Sequence, residues 1–137
     1  MGWVAEQTSV SYSYCITLSM EDDAPEGVGY QLLSRSWRIR SAAPGNDSDV
    51  QGPGVIGMYP ACAPGAAPFQ YCSRTYVSAT DGGWMEGEFD MQVLPAALAR
   101  EIAADPSRWH HPHQLPNPTI VRVAVAPFDL PPVSLLY

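Results

Sequence analysis

Lysine is missing altogether. The seven basic residues are all arginine, they face fourteen acids, and the net charge is −7 over 137 residues. Without lysine there is no Schiff-base lysine and no ubiquitin-acceptor lysine within this chain. An acidic surface with scattered arginine repels phosphate backbones, which excludes non-specific nucleic-acid binding. No apolar run reaches the roughly 18 residues of a membrane span. The start, Met1-Gly2-Trp3-Val4-Ala5-Glu6, lacks the basic and apolar regions of a secretory leader. It also has Glu6 where a myristoylation signal needs Ser or Thr. Cysteine is scarce: Cys15, Cys62 and Cys72 make an odd set without framework spacing. The expectation is therefore no disulfide scaffold and an intracellular setting, cytoplasmic or nuclear.

Proline and glycine are plentiful, at 14 and 11, which favours short elements joined by turns over long helices. Hydrophobic residues make up 46% and charged residues 15% of the chain, the balance of one globular domain. Period-two alternation is clearest over residues 10–20. Val10, Tyr12, Tyr14, Ile16, Leu18 and Met20 share one face, and Ser11, Ser13, Cys15, Thr17 and Ser19 share the other. Further strands are expected at Tyr30–Arg40, Phe69–Ser78, Trp84–Val93 and Thr119–Ala126, with Phe128 and Leu130 beyond the last. In the second, Leu33, Trp37 and Ile39 point inward. Arg35 falls on the same apolar parity and is expected at a sheet edge, its stem packed and its guanidinium in water. In the fourth, Met85, Gly87, Phe89, Met91 and Val93 point in while Glu86, Glu88, Asp90 and Gln92 point out. Pro95–Asp105 reads as a short helix with proline at its first position. Short alternating strands, Gly/Pro turns and one small helix indicate an all-β antiparallel sandwich.

Gly52-Pro53-Gly54-Val55-Ile56-Gly57 matches the G-x-G-x-x-G pattern of dinucleotide-binding loops. That pattern binds phosphate when it opens a helix. Here Pro60, Pro64 and Pro68 follow and block one. A type II turn, with Pro53 and Gly54 at its centre, is the expected structure. An anion-gripping nest of amides is the alternative. Trp109-His110-His111-Pro112-His113 has no neighbouring Cys or carboxylate to complete a metal shell and reads as an exposed loop. All three histidines lie in that loop and no nucleophile sits in an elbow, so no triad is available. Glu86, Glu88 and Asp90 read as a solvated face. No catalysis, cofactor or metal is expected.

Four segments occur in order: Gln31-Leu32-Leu33-Ser34-Arg35-Ser36-Trp37-Arg38-Ile39, Val50-Gln51-Gly52-Pro53-Gly54-Val55-Ile56-Gly57, Phe69-Gln70-Tyr71-Cys72-Ser73, and Gly83-Trp84-Met85-Glu86-Gly87. Together they make residues 10–130 resemble the ApaG domain. The resemblance implies a fibronectin-III/immunoglobulin-like β-sandwich. Bacterial members of that family are small free-standing proteins, linked by name to cobalt and magnesium resistance and without established catalysis. Eukaryotic members carry the domain at the C-terminus of F-box proteins, or in a protein that binds a DNA polymerase subunit, where it is regarded as a protein-interaction module. Val50–Val55 and Phe128-Asp129-Leu130-Pro131 are most similar to the F-box branch. The chain departs from the family in three ways. Met1–Ser9 offers little for the additional strand with which the family begins, segment 94–118 is longer than the bacterial turn, and no Leu-rich F-box segment is present.

The organisation expected is an N-terminal segment, 1–9, and a sandwich, 10–137, with an insertion at 94–118. The function expected is non-catalytic protein recognition, as substrate recruitment for an SCF-type ubiquitin ligase, with Tyr76 and Trp84 as exposed aromatic anchors unless the insertion covers them. The alternative implied by the resemblance is a pyrophosphate or divalent-cation-linked ligand, held by Gly52, Gly54 and Gly57. A sheet edge left open by the missing first strand would invite self-association or a donated strand.

Overall fold

The structure is a computed structural model that describes residues 10–21, 24–42, 45, 47–77 and 82–132. Seven strands form two antiparallel sheets. They are β1 (Val10–Leu18), β2 (Val28–Ser41), β3 (Ser48–Pro53), β4 (Ala61–Cys62), β5 (Phe69–Val77), β6 (Gly83–Pro95) and β7 (Ile120–Leu130). The larger sheet has the order β3-β2-β6-β7, with β4 also paired to β2, and the smaller is β1–β5 alone. The sandwich expected from the alternating runs is the sandwich observed. The tyrosine and apolar positions of β1 turn inward, and its serines, Cys15 and Thr17 lie exposed outside.

Between the sheets, Trp37 is the hub. Its ring meets Tyr14 at 5.8 Å, Phe89 at 5.6 Å and Phe128 at 6.2 Å, all edge-on, the geometry that aromatic quadrupoles favour. Leu18, Leu32, Ile39, Val77, Met85, Met91 and Leu130 complete this core. Leu32 is buried here, and Leu33 is not, contrary to the simple alternation. A bulge between Leu32 and Ser34 inserts one extra residue, so the parity of β2 changes there.

The 94–118 segment builds a second core on the outer face of the larger sheet. Helix α1 (Ala96–Ala104) begins after Pro95, which caps the helix and does not form its first turn. A short 3-10 turn follows at Pro106–Trp109. Ala99 and Ile102 of α1 pack with Ala61, Ala63 and Leu94. Gly29 makes this approach possible, because a Cβ there would collide with Ala99 and with the Cys62 carbonyl. The Trp109 indole donates to the Ile102 carbonyl at 2.7 Å and closes the helix end. Gln92, expected outside, is buried beneath this layer. It donates to Gln31 Oε1 at 3.0 Å and to the His113 carbonyl. His113 N donates back to Gln31 Oε1 at 2.8 Å, and Gln31 Nε2 donates to the Tyr59 carbonyl at 3.0 Å. Gln31 accepts from both Gln92 and the loop, and these bonds tie the loop to the sheet, as buried amides favour.

Cys15 and Cys72 lie directly opposite in the β1–β5 register and form a disulfide. This corrects the expectation of no disulfide scaffold, which rested on the odd count and the spacing. Two cysteines 57 residues apart become neighbours only once β1 and β5 pair. It also removes the premise on which an intracellular setting was expected. Among the described residues no helix is long and apolar enough to cross a membrane.

Candidate functional site

The glycine run lies at the end of β3. Gly54 has a positive φ of 60°, but Pro53 still belongs to β3 and the tight turn falls later than the expected type II turn at Pro53-Gly54, because Val55 N bonds forward to Met58. A tight hairpin turn follows, in which Val55 N donates to Met58 O at 2.9 Å and Met58 N to Val55 O at 2.8 Å. Ile56 and Gly57 sit between them at φ 44° and 75°, the pair of left-handed residues that a type I′ turn demands. Gly54 N donates to Leu33 O at 2.8 Å. The amides of Gly54, Val55 and Met58 are therefore all spent inside the protein.

Arg35 is the organising side chain of this region, and its role differs from the expected water-facing edge position. It sits on the inner parity of β2, between Gly52 of β3 and Phe89 of β6. Its Nη1 donates to the carbonyls of Pro53 at 3.1 Å and Gly54 at 2.9 Å. The guanidinium lies flat against Gly52, where a Cβ would stand 3.1–3.3 Å from three of its atoms. Among the described residues no carboxylate pairs with it. Nearby, the phenol of Tyr71 is held above its ordinary range by burial, with the Arg35 charge pulling the other way.

The three acids of β6 are each engaged, so the outer face is a ladder of ion pairs. Arg38 donates to Glu88 through two nitrogens at 3.1 and 3.0 Å and to Glu86 at 3.3 Å. Arg122 reaches Asp90 at 3.1 Å, and Ser34 Oγ donates to the same carboxylate at 3.3 Å. Arg38 draws the Glu88 carboxyl below the usual range, the wrong direction for a general acid at neutral pH. Ser34, Arg35, Gln51, Glu88, Asp90 and Arg122 line an open cleft of about 490 Å³. Its charges balance. Cys62 is buried, which pushes its thiol up to about 11, so it holds little thiolate near neutrality.

Tyr76 is 62% and Trp84 39% exposed. They do not share a surface. Tyr76 is opposite Ser11 on the outside of the small sheet, whereas Trp84 lies between Arg40 and Asp129 on the outside of the large one. The α1 layer packs at the far end of β2 and β6, over Gly29 and Leu94, and covers neither. Ile56, 54% exposed at the tip of the glycine turn, is an exposed apolar residue that alternation could not flag. Its only sequence signal was its place inside the glycine run. His110 and His111 are exposed and His113 is half-buried. Among the described residues no group of three His, Cys, Asp or Glu side chains could hold a metal.

A family profile described as ApaG domain matches residues 4–93. The match stops two residues before the cap of α1, so the outer layer lies beyond it. Human F-box only protein 3 is 41% identical over 83 residues, which are 61% of this chain and 17% of that protein. Protein ApaG of Acidithiobacillus ferrooxidans is 40% identical over 85 residues, 62% of this chain and 61% of that protein. The chain thus spans under two thirds of ApaG and a small part of the F-box protein. A crystal structure of the ApaA protein from Bordetella pertussis superposes with a TM-score of 0.53 at 18% identity, covering 91% of this chain and 95% of that one. The ordered motifs, the sandwich and the family match agree, and the chain belongs to the ApaG domain family.

Proposed function

We propose that the chain is a non-catalytic protein-recognition module, serving in the context of its F-box relatives to recruit a protein for ubiquitin conjugation. The observation that carries this reading is the pair of exposed aromatics, Tyr76 and Trp84, standing clear of the α1 layer on a sandwich whose polar face is already internally paired. Aromatic side chains of this kind anchor protein interfaces. The two lie on opposite faces, so a single compact partner meets one of them. A photoreactive amino acid placed at 76 or at 84 in the full-length protein gives one discrete protein adduct, and the Ala substitution at the same position lowers ubiquitin conjugation of that protein. Absence of a discrete adduct at both positions contradicts the reading.

A second reading rests on Arg35, which lacks a carboxylate partner among the described residues and lies against the glycine turn. A pyrophosphate held there by Gly52, Gly54 and Gly57 would draw on its charge, although the turn amides are committed internally. Titration with millimolar pyrophosphate, followed at the amides of residues 52–57, separates the readings. Shifts confined to that turn favour the anion, and their absence removes it.

A further inference from the structure

Among the described residues strand β1 has one neighbour, β5. Its Cys15 Cα lies 4.0 Å from that of Cys72, the narrow spacing of a pair that exchanges no main-chain hydrogen bonds. Alternation then turns the N–H and C=O groups of Ser11, Ser13, Cys15 and Thr17 away from β5. Among the described residues no strand receives them. The small sheet stops at β1, but the large sheet continues to β7. Val123 is on the inner face, opposite Phe89, yet is 39% exposed, because no described strand of the small sheet lies over it.

The space between these edges is a groove. One part, about 420 Å³, runs between Cys15–Ser19 and Val123–Val125. It meets an apolar hollow of about 220 Å³ lined by Leu18, Met20, Tyr30, Cys62, Met91 and Val123. Glu21 stands at the rim of both parts.

We infer that this groove accepts an extended segment of a partner protein as an added strand beside β1. The segment is apolar at alternate positions and carries Arg or Lys at one end. The inference rests on the protein-recognition reading and names its partner class. The free main-chain groups of β1 supply the ladder, the hollow takes the alternate side chains, and Glu21 at the rim meets the cation. Charge selects among the occupants. A second copy brings its own net −7. Met1–Ser9 contributes one charged side chain, Glu6, and residues 133–137 contribute none.

The test is a random dodecapeptide phage library panned on the intact chain and counter-selected on Val123→Arg. The enriched peptides alternate apolar residues and end in Arg or Lys, and their binding weakens with salt. The consensus peptide slows exchange at the amides of Ser11, Ser13, Cys15 and Thr17. It binds at least roughly tenfold more weakly to Val123→Arg and to Ser13→Pro, the latter removing one edge donor without touching the β5 ladder. Peptides without the cationic end, or indifferent to both variants, overturn the inference. So does a sedimenting dimer broken by Ser13→Pro, which assigns the edge to a second copy. Protection of the four amides in the free monomer gives the edge to the chain's own terminal residues and overturns it too. Adducts at 76 or 84 alongside failed panning would sink the groove and leave the recognition reading standing.

Discussion

Arg35 occupies a place that the alternation of β2 reserves for an apolar side chain, and the glycine turn explains why. Its guanidinium ties down the carbonyls of Pro53 and Gly54, and Gly52 is bare so that it can lie there. The sequence marked Arg35 as an anomaly but not its purpose, because the carbonyls it serves lie 18 and 19 residues away. Arg35→Ala should cost about 1–2 kcal/mol in denaturant unfolding. Gly52→Ala should cost less in the native background and nothing once Arg35 is gone, since the collision then disappears. Strictly additive losses would mean the two do not interact. Ile56, a β-branched residue at positive φ, carries backbone strain. Ile56→Asn should raise stability by about 1 kcal/mol. Glu88 titrates in the folded protein below its unfolded value because Arg38 holds it charged. Its contribution is complete above the ordinary carboxylate range and is lost as pH falls through the folded value. Unfolding midpoints should therefore decline below about pH 4, with a shallower decline in Arg38→Met.

The long strands were legible in the sequence because each carries its own alternation and packs on one continuous core. The shorter elements were not. β3 is an edge strand in which Val50 is the one strongly strand-favouring residue among Ser, Asp, Gln, Gly and Pro, and its first four residues are exposed, a composition that reads as loop. β4 is two residues long. Alternation named the face on which Gln92 lies but not the helical layer that covers that face. The disulfide depended on register between distant strands, which no local pattern encodes. Its consequence is measurable, since a two-stranded sheet is marginal by itself and Cys15–Cys72 closes a long loop across both strands. Reduction, or Cys15→Ser with Cys72→Ser, should cost about 2–4 kcal/mol of unfolding free energy. Fast alkylation is expected at those two cysteines after reduction, while buried Cys62 stays unmodified until the chain unfolds. A fold equally stable with and without the reductant would contradict the stapling role.

At the scale of the whole molecule, the sandwich is asymmetric. Its large sheet is covered on one face by β1 and β5 and, at one end of the other face, by α1. Among the described residues, nothing pairs with the free side of β1 above the inner face of β7. The family match covers β1 through most of β6 and ends before both α1 and β7. The charge of −7 favours cationic partners over a second copy. The glycine pattern that first suggested a phosphate loop proves to be the anchored end of an edge strand. Strand addition at the groove requires that β1 be an unpaired edge in the isolated protein. Residue-resolved hydrogen exchange on the purified chain tests it most directly. The amides of Tyr12, Tyr14 and Ile16, which face β5, should exchange slowly, and those of Ser11, Ser13, Cys15 and Thr17 at rates near those of free peptide. Equal protection along β1 would contradict it, because the edge would then already be filled.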